Sequence, residues 1–363
     1  MSSVFIKGLS KKYEQGASAL SSFNLEVTDG EMVILAGPTG SGKSTALRLI
    51  SGYEVPTAGD IIINGMLVND IPVSSRNIAT VLNNQSLYPH MTVEENLAFS
   101  LRLCYTALTE ISARIHEVAE KMEMTDLLPV KADELDEIQT MKVILLRAVV
   151  RNPRVLLVDM PFAQRSRSLR ESSRDFIMEI NRRLGTTIIL ATKDRRMLRS
   201  MPYKTVIIKD GYIQQTDLPE NIFKEPANLF VADFISFPQM ESCSGTLVRT
   251  PQGYVLHTAQ HDILLDQEKL EESRAAAYEG KEVIAGFRAE AVEILPEDAE
   301  DGVDATAENM DETVYGSIIT LHSGEINVRM LNENNFAEGE SVKMRFVPSE
   351  IMLFDPDSEK KIY

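Results

Sequence analysis

The sequence predicts an α/β domain built around a largely parallel sheet, followed by a small all-β domain. Three observations predict it. The apolar run Met32-Val33-Ile34-Leu35-Ala36 leads into a glycine-rich loop and then a helical pattern from Thr45 to Ile50, the strand–helix unit of parallel sheets. Strand-like and helix-like patterns alternate up to about residue 235. After Phe237 the texture changes to short strand-like runs between turns, as in a small β-barrel. A chain of 363 residues has room for two domains, and the change of texture divides it into 1–236 and 237–363.

Taken in order, strands are expected at Val4–Ile6, Phe23–Val27, Met32–Ala36, Asp60–Ile63, Ile78–Leu82, Val155–Asp159, Thr187–Ala191 and Thr205–Ile208. Each is a short apolar or β-branched run. A helix is expected at Val93–Leu103, because Thr92 followed by Glu95 makes a capping box. Ile111–Met122 and Val143–Val150 carry helical periodicity, and Ser168–Leu184 is a long helix stopped by Gly185. The block from about 86 to 140 has helices without strands, as an inserted helical subdomain would. In the second domain, strands are expected at Gly245–Val248, Gly253–Leu256, Val283–Phe287, Gly316–Leu321, Ile326–Met330 and Ser341–Phe346. Residues 296–312 hold eight acids and no bases and read as a solvated loop. Their spacing matches no calcium-binding loop.

Composition narrows the function. Hydrophobic content of 44% is that of an ordinary globular protein. A net charge of −17 argues against nucleic acid as a partner, since phosphate backbones need basic surfaces. Cys104 and Cys243 fit a reducing compartment as small buried hydrophobes. The N-terminus has no signal-type apolar stretch, and no apolar run reaches membrane-spanning length. Work at a membrane would be by docking. The five histidines, His90, His116, His257, His261 and His322, form no metal or triad pattern, and His90 is expected to order its loop.

Residues 37–45 spell a complete phosphate-binding loop: Gly37, Pro38, Thr39, Gly40, Ser41, Gly42, Lys43, Ser44 and Thr45. Backbone N–H groups must converge on phosphate oxygens, which requires backbone shapes that side chains forbid. The following helix adds the positive end of its dipole. Lys43 would neutralise the β- and γ-phosphates and Ser44 Oγ would hold Mg²⁺. ATP or GTP is the expected ligand.

With these elements placed, the chain resembles the ATP-binding subunits of ABC importers of the carbohydrate-uptake type, which includes the maltose and glycerol-phosphate importers. Lys12-Tyr13 resembles the aromatic loop that stacks on adenine, Leu87-Tyr88-Pro89-His90-Met91-Thr92-Val93-Glu94-Glu95-Asn96 resembles the family segment after the Q-loop, and Leu156-Leu157-Val158-Asp159 resembles a Walker B strand. Leu184-Gly185-Thr186-Thr187 leads to the switch strand. Gly286-Phe287-Arg288-Ala289-Glu290 and Met352-Leu353-Phe354-Asp355-Pro356 resemble landmarks of an OB-type (TOBE-like) regulatory domain. The resemblance covers nearly the whole chain. It implies a P-loop ABC ATPase domain with a helical subdomain, followed by the OB-type domain, with Mg-ATP bound at Tyr13, Gly37–Thr45 and Asp159.

Carried over position by position, the resemblance also marks departures. The Q-loop glutamine falls on Asn83, shorter by one methylene, about 1.5 Å of reach, and metal contacts tolerate little change in distance. Gln85 lies close by. The signature motif falls on Leu135, Asp136, Glu137, Ile138 and Gln139, with two carboxylates in place of γ-phosphate donors. The catalytic glutamate after Asp159 is replaced by Met160, and a thioether is a poor proton acceptor. The D-loop falls on Ala163-Gln164-Arg165-Ser166 and keeps none of its key residues; the switch histidine falls on Lys193. Each change also has a plain structural reading: Met160 packs, Lys193 is a surface lysine, and Asp136 caps the helix starting near Glu137. Together the five imply weakened hydrolysis.

The expected function is therefore that of a nucleotide-binding importer subunit, cytoplasmic and peripheral on the inner membrane face, impaired in catalysis. It would pair with a second, intact ATP-binding subunit in preference to its own copy, and dock on transmembrane permease subunits. Two other readings stand beside it: an active importer ATPase in which Gln85 or an unrecognised carboxylate stands in, and a regulatory ATP-binding scaffold no longer engaged in transport.

Overall fold

The computed structural model describes residues 2–13, 16, 18–82, 86–103, 107–159, 166–271, 273–296, 298–299, 302–313 and 316–363. The chain divides into two compact units, Met1–Leu218 and Pro219–Tyr363.

The first unit contains, in order, β1 (Ser2–Lys12), β2 (Ser18–Thr28), β3 (Met32–Ala36), α1 (Lys43–Ser51), β4 (Ala58–Ile63), β5 (Met66–Leu67), β6 (Ile78–Val81), α2 (Val93–Arg102), α3 (Leu108–Lys121), α4 (Glu137–Val149), β7 (Val155–Asp159), α5 (Arg167–Leu184), β8 (Thr187–Thr192), α6 (Arg195–Arg199), β9 (Lys204–Lys209) and β10 (Tyr212–Asp217). One sheet has the order β10-β9-β3-β8-β7-β6. All its pairings are parallel except β9 with β10. Strands β3 and β8 are buried along their whole length, so both faces are covered, and this is why they read as unbroken apolar runs. A second sheet, antiparallel, has the order β2-β1-β4-β5. Sequence patterning did not separate it from the first. Nor did it give the length of β2, which runs well beyond Phe23–Val27 because alternate positions, buried and exposed, extend it past the apolar centre.

The helical segment is anchored as its sequence requires. Thr92 and Glu95 form the expected capping box on α2. Asn96, fully buried, accepts the Tyr88 N–H at Oδ1 (2.8 Å) and donates through Nδ2 to the carbonyls of Tyr88 (3.2 Å) and Thr92 (3.0 Å). One side chain thus holds the Leu87–Thr92 turn, while His90 stays exposed.

The second unit opens with α7 (Pro219–Lys224) and α8 (Leu229–Ile235), then β11 (Glu241–Thr250), β12 (Gly253–His257), β13 (Asp262–Leu264), α9 (Gln267–Glu271), β14 (Glu282–Phe287), β15 (Val292–Leu295), β16 (Val303–Thr313), β17 (Gly316–Ser323), β18 (Ile326–Leu331), β19 (Ser341–Phe346) and β20 (Met352–Phe354). Two five-stranded sheets, β13-β12-β11-β14-β20 and β15-β19-β16-β17-β18, share one core that includes Leu247, Leu256, Phe287, Leu321 and Met344. Cys243 packs against that core, and burial pushes its thiol up to about 11, so it behaves as a hydrophobe. The landmark Arg288 lies 4.1 Å from the Phe223 ring centroid and donates to the Phe223 carbonyl (2.6 Å).

One expectation fails here. The acidic stretch 296–312 is not simply a solvated loop, because Val303–Thr313 is β16, paired with β17 on one side and β19 on the other. Ala305 and Ala307 are buried between outward-facing acids. The bases that offset those acids come from other strands of the same sheet: Asp304 is opposite Lys343 on β19, and Asp311 lies 2.7 Å from Arg329 on β18, beyond β17. Counting charge along the chain cannot detect cross-strand compensation.

Candidate functional site

The register of the parallel sheet assembles the site. Ala36 of β3 lies beside Thr192 of β8, and Asp159 of β7 lies beside Ala191. Three strands thus end together, delivering the loop after Ala36, the Asp159 carboxylate and the Lys193 turn to one edge, where α/β sheets bind ligands.

The loop is a backbone cradle. A Cβ on Gly37 would come within 2.2 Å of the Ile208 carbonyl oxygen, and one on Gly42 within 2.4 Å of that of Ala19. Gly42 also has φ of 107°, in the region that favours glycine. The β9–β10 turn props the loop from behind, with Gly211 N–H donating to the Ser41 carbonyl (3.0 Å). Helices α2, α4 and α5 each carry a side-chain cap, from Thr92, Asp136 and Ser166. Helix α1 is capped by Gly42 with no side-chain bond, so its first N–H groups remain available to an anion.

Lys43 is buried. Its Nζ donates to the carbonyls of Gly37 (2.9 Å) and Pro38 (2.7 Å) and to Ser41 Oγ (3.0 Å). Burial pushes its pKa down to about 8; Asp159 opposes that shift and Lys193 adds to it. A desolvated ammonium held only by neutral acceptors favours an incoming anion, and a polyphosphate fits this cradle. Ser44 is exposed at the first turn of α1 and Asp159 half-buried at the end of β7. Among the described residues no group of three or more His, Cys, Asp or Glu converges to hold a metal. A divalent ion here would draw its remaining ligands from the nucleotide and water, as Mg²⁺ does at phosphates.

Tyr13 is exposed and not loose. Its hydroxyl donates to Glu54 Oε2 (2.6 Å), and Lys11 Nζ lies 5.3 Å from its ring centroid. Glu54 also lies 3.4 Å from Arg48 and 3.9 Å from Lys11. Burial, followed by the Glu54 hydrogen bond, raises the Tyr13 pKa, while a hydrogen bond to Thr45 lowers it. The phenol is therefore tied to the start and the end of the phosphate-loop helix.

The remaining positions differ in what they show. Asp136 is the N-cap of α4: Oδ1 accepts from Gln139 N–H (2.7 Å), and Gln139 Oε1 accepts from Asp136 N–H (3.0 Å). Leu135 and Ile138 are half-buried, and Glu137 is exposed. Lys193 is exposed between Thr192, whose hydroxyl accepts from Asp194 N–H (3.0 Å), and Asp194, the N-cap of α6. Asn83, Gln85, Met160, Ala163, Gln164, Arg165 and Cys104 lie outside the described residues.

Sequence reasoning missed three supporting arginine and acid positions. Glu54, just named, orients Tyr13. Arg76, buried, donates through Nη1 to the carbonyls of Leu49 (3.0 Å) and Ile50 (2.9 Å), closing the C-terminal end of α1. Arg147 on α4 donates to the Ser86 carbonyl (2.9 Å) and borders a cleft of about 630 Å³ with Tyr53, Val73, Ser100 and Arg151. These partners are distant in sequence and belong to no periodic pattern, so no local signal could have found them.

Comparisons with known proteins agree with this geometry. The family model described as ABC transporter matches residues 20–163. The chain is 32% identical to the oligosaccharides import ATP-binding protein MsmX of Bacillus subtilis (strain 168), over 100% of both chains. It is 33% identical to the sn-glycerol-3-phosphate import ATP-binding protein UgpC 1 of Rhizobium johnstonii, over 88% of this chain and 84% of that one. A solved dimeric structure of the ATP-binding cassette MJ0796, in a post-hydrolysis state bound to ADP and Pi, aligns with a TM-score of 0.50 at 28% identity, covering 59% of this chain and 98% of that one. With a phosphate cradle at the edge of a parallel sheet and full-length relatives above 30% identity, the chain belongs to the ATP-binding proteins of ABC transporters.

Proposed function

We propose that this protein is the nucleotide-binding subunit of an importer for a carbohydrate or related solute, and that it binds Mg-ATP while hydrolysing it poorly. The observation that carries the reading is Lys43, a buried cation in an intact cradle beside Asp159, combined with Met160 and Lys193 where the family has its catalytic glutamate and switch histidine. Tyr13 and Gly37–Thr45 hold the nucleotide; Ser44 and Asp159, with Asn83 as a third candidate, hold Mg²⁺. The ATP-binding domain is assigned to residues 1–236 and a regulatory OB-type domain to 237–363, with α7 and α8 packing as part of the second compact unit, which begins at Pro219. The names of MsmX and UgpC 1 support the solute class.

The proposed site of work is the inner face of the cell membrane. Among the described residues no helix is long and apolar enough to cross a membrane, so attachment is by docking on permease subunits. The cleft between α4 and the end of α1, with Tyr53, Val73 and Arg147 in its wall, supports that docking. The proposed partner across the nucleotide is a different, intact ATP-binding subunit. The bulk of Ile138 and the acids Asp136 and Glu137 disfavour a γ-phosphate contact from this chain's own signature segment. Affinity purification of the tagged chain from its native membranes tests this: permease and a second ATP-binding subunit are expected together. Recovery of the chain with neither contradicts the importer reading, and recovery of permease with this chain as sole ATP-binding subunit contradicts the heterodimer.

A further inference from the structure

The second unit contains a concavity of about 310 Å³, walled by Glu225, Lys269, Ser273, Arg274, Lys361 and Tyr363. Three cations converge there in a chain whose net charge is −17. Such a clustering runs against the average surface and concentrates positive potential in a concave site.

Each cation is positioned and retains capacity. Lys269 Nζ donates to the Ser349 carbonyl (2.8 Å) and lies 5.2 Å from the Tyr363 ring centroid. Lys361 Nζ donates to Glu225 Oε2 (2.7 Å) and the Lys224 carbonyl (3.3 Å). An ammonium has three N–H donors, so each lysine keeps at least one. Arg274 is exposed and makes no hydrogen bond or ion pair with any described residue. Its guanidinium presents a planar fork suited to a phosphate. Glu225 offsets one charge through its bond to Lys361, which leaves the cluster with a net positive charge. Lys361 is half-buried: burial pushes its pKa down, with Glu225 opposing and Lys269 and Arg288 adding to the shift. A second anion would relieve that cost.

We infer that this pocket binds a small phosphate monoester, with the phosphate between Arg274, Lys269 and Lys361. The volume lies at the lower end of the roughly 300–1,000 Å³ range of ligand pockets, which suits a hexose phosphate. The site is independent of the phosphate loop and stands or falls without it.

The test is calorimetric titration of the full chain at constant ionic strength with inorganic phosphate, glucose 6-phosphate and glucose. It is done in the wild-type and Lys43→Ala backgrounds so that the phosphate loop is accounted for separately. Saturable binding of phosphate and glucose 6-phosphate, but not glucose, is expected to survive Lys43→Ala. Arg274→Ala is expected to weaken it at least tenfold in both backgrounds, and its exposed position lets the fold tolerate the change. Absence of saturable binding in Lys43→Ala protein of unchanged melting temperature overturns the inference. So does binding that Arg274→Ala with Lys269→Ala leaves undiminished.

Discussion

Lys43 is a cation held where charge is disfavoured, and that has a measurable consequence. Its pKa is depressed to about 8 chiefly by burial; a phosphate beside it favours the charged form and raises that value in the complex. The free protein must then take up a proton to bind ATP above pH 8. Affinity is expected to be level from pH 7 to about 8 and to fall above it, by at most tenfold per pH unit, until the pKa of the complex is reached. Titration calorimetry from pH 7.5 to 9.5 checks this, and a level profile rules out Lys43 as the phosphate cation. Glu54 gives a separate signature, because it accepts the hydroxyl hydrogen bond of Tyr13, the residue proposed to stack on the base. Glu54→Ala is expected to weaken ATP about fivefold, or ~1 kcal/mol for one lost orienting hydrogen bond, and to leave tripolyphosphate binding unchanged. Equal losses for both ligands would mean that Glu54 supports the helix and not the ring.

At the scale of elements, the first residues of α4 have a clear local structural use. Asp136 is an N-cap in a capping box with Gln139, and its carboxylate faces the positive end of its own helix. Asp136→Ala is expected to cost about 1 kcal/mol, while Asp136→Ser, which also caps, should cost only a few tenths. Urea denaturation distinguishes them; equal losses would mean that the cap contributes nothing. The cap was legible in the sequence because a capping box is local, as it is at Thr92. The parallel strands were legible for another reason, since burial on both faces leaves an unbroken apolar run. Strand β16 was not legible: its two buried positions, Ala305 and Ala307, are small, and the bases facing its acids sit on β18 and β19. The phosphate loop could be read directly, whereas its supports, Arg76 and the Gly211 turn, are made by contacts between distant residues.

The whole molecule carries a well-formed phosphate cradle, which the proposed function couples to replaced catalytic positions, and its net charge of −17 contrasts with the three cations that line the Arg274 pocket. On the proposed function, the subunit would contribute binding energy to an assembly without driving the chemistry, since general-base assistance alone is worth about 10²–10⁴-fold. The proposed pocket in the second unit would give the same chain a second phosphate-binding site. The most direct test of the account is steady-state ATP turnover by the purified chain, measured alongside equilibrium ATP binding on the same sample. Micromolar binding, about −8 kcal/mol, that Lys43→Ala removes, with turnover indistinguishable from background, is the predicted result. Steady turnover near ~1 s⁻¹, ordinary for an enzyme and abolished by Lys43→Ala, would contradict it.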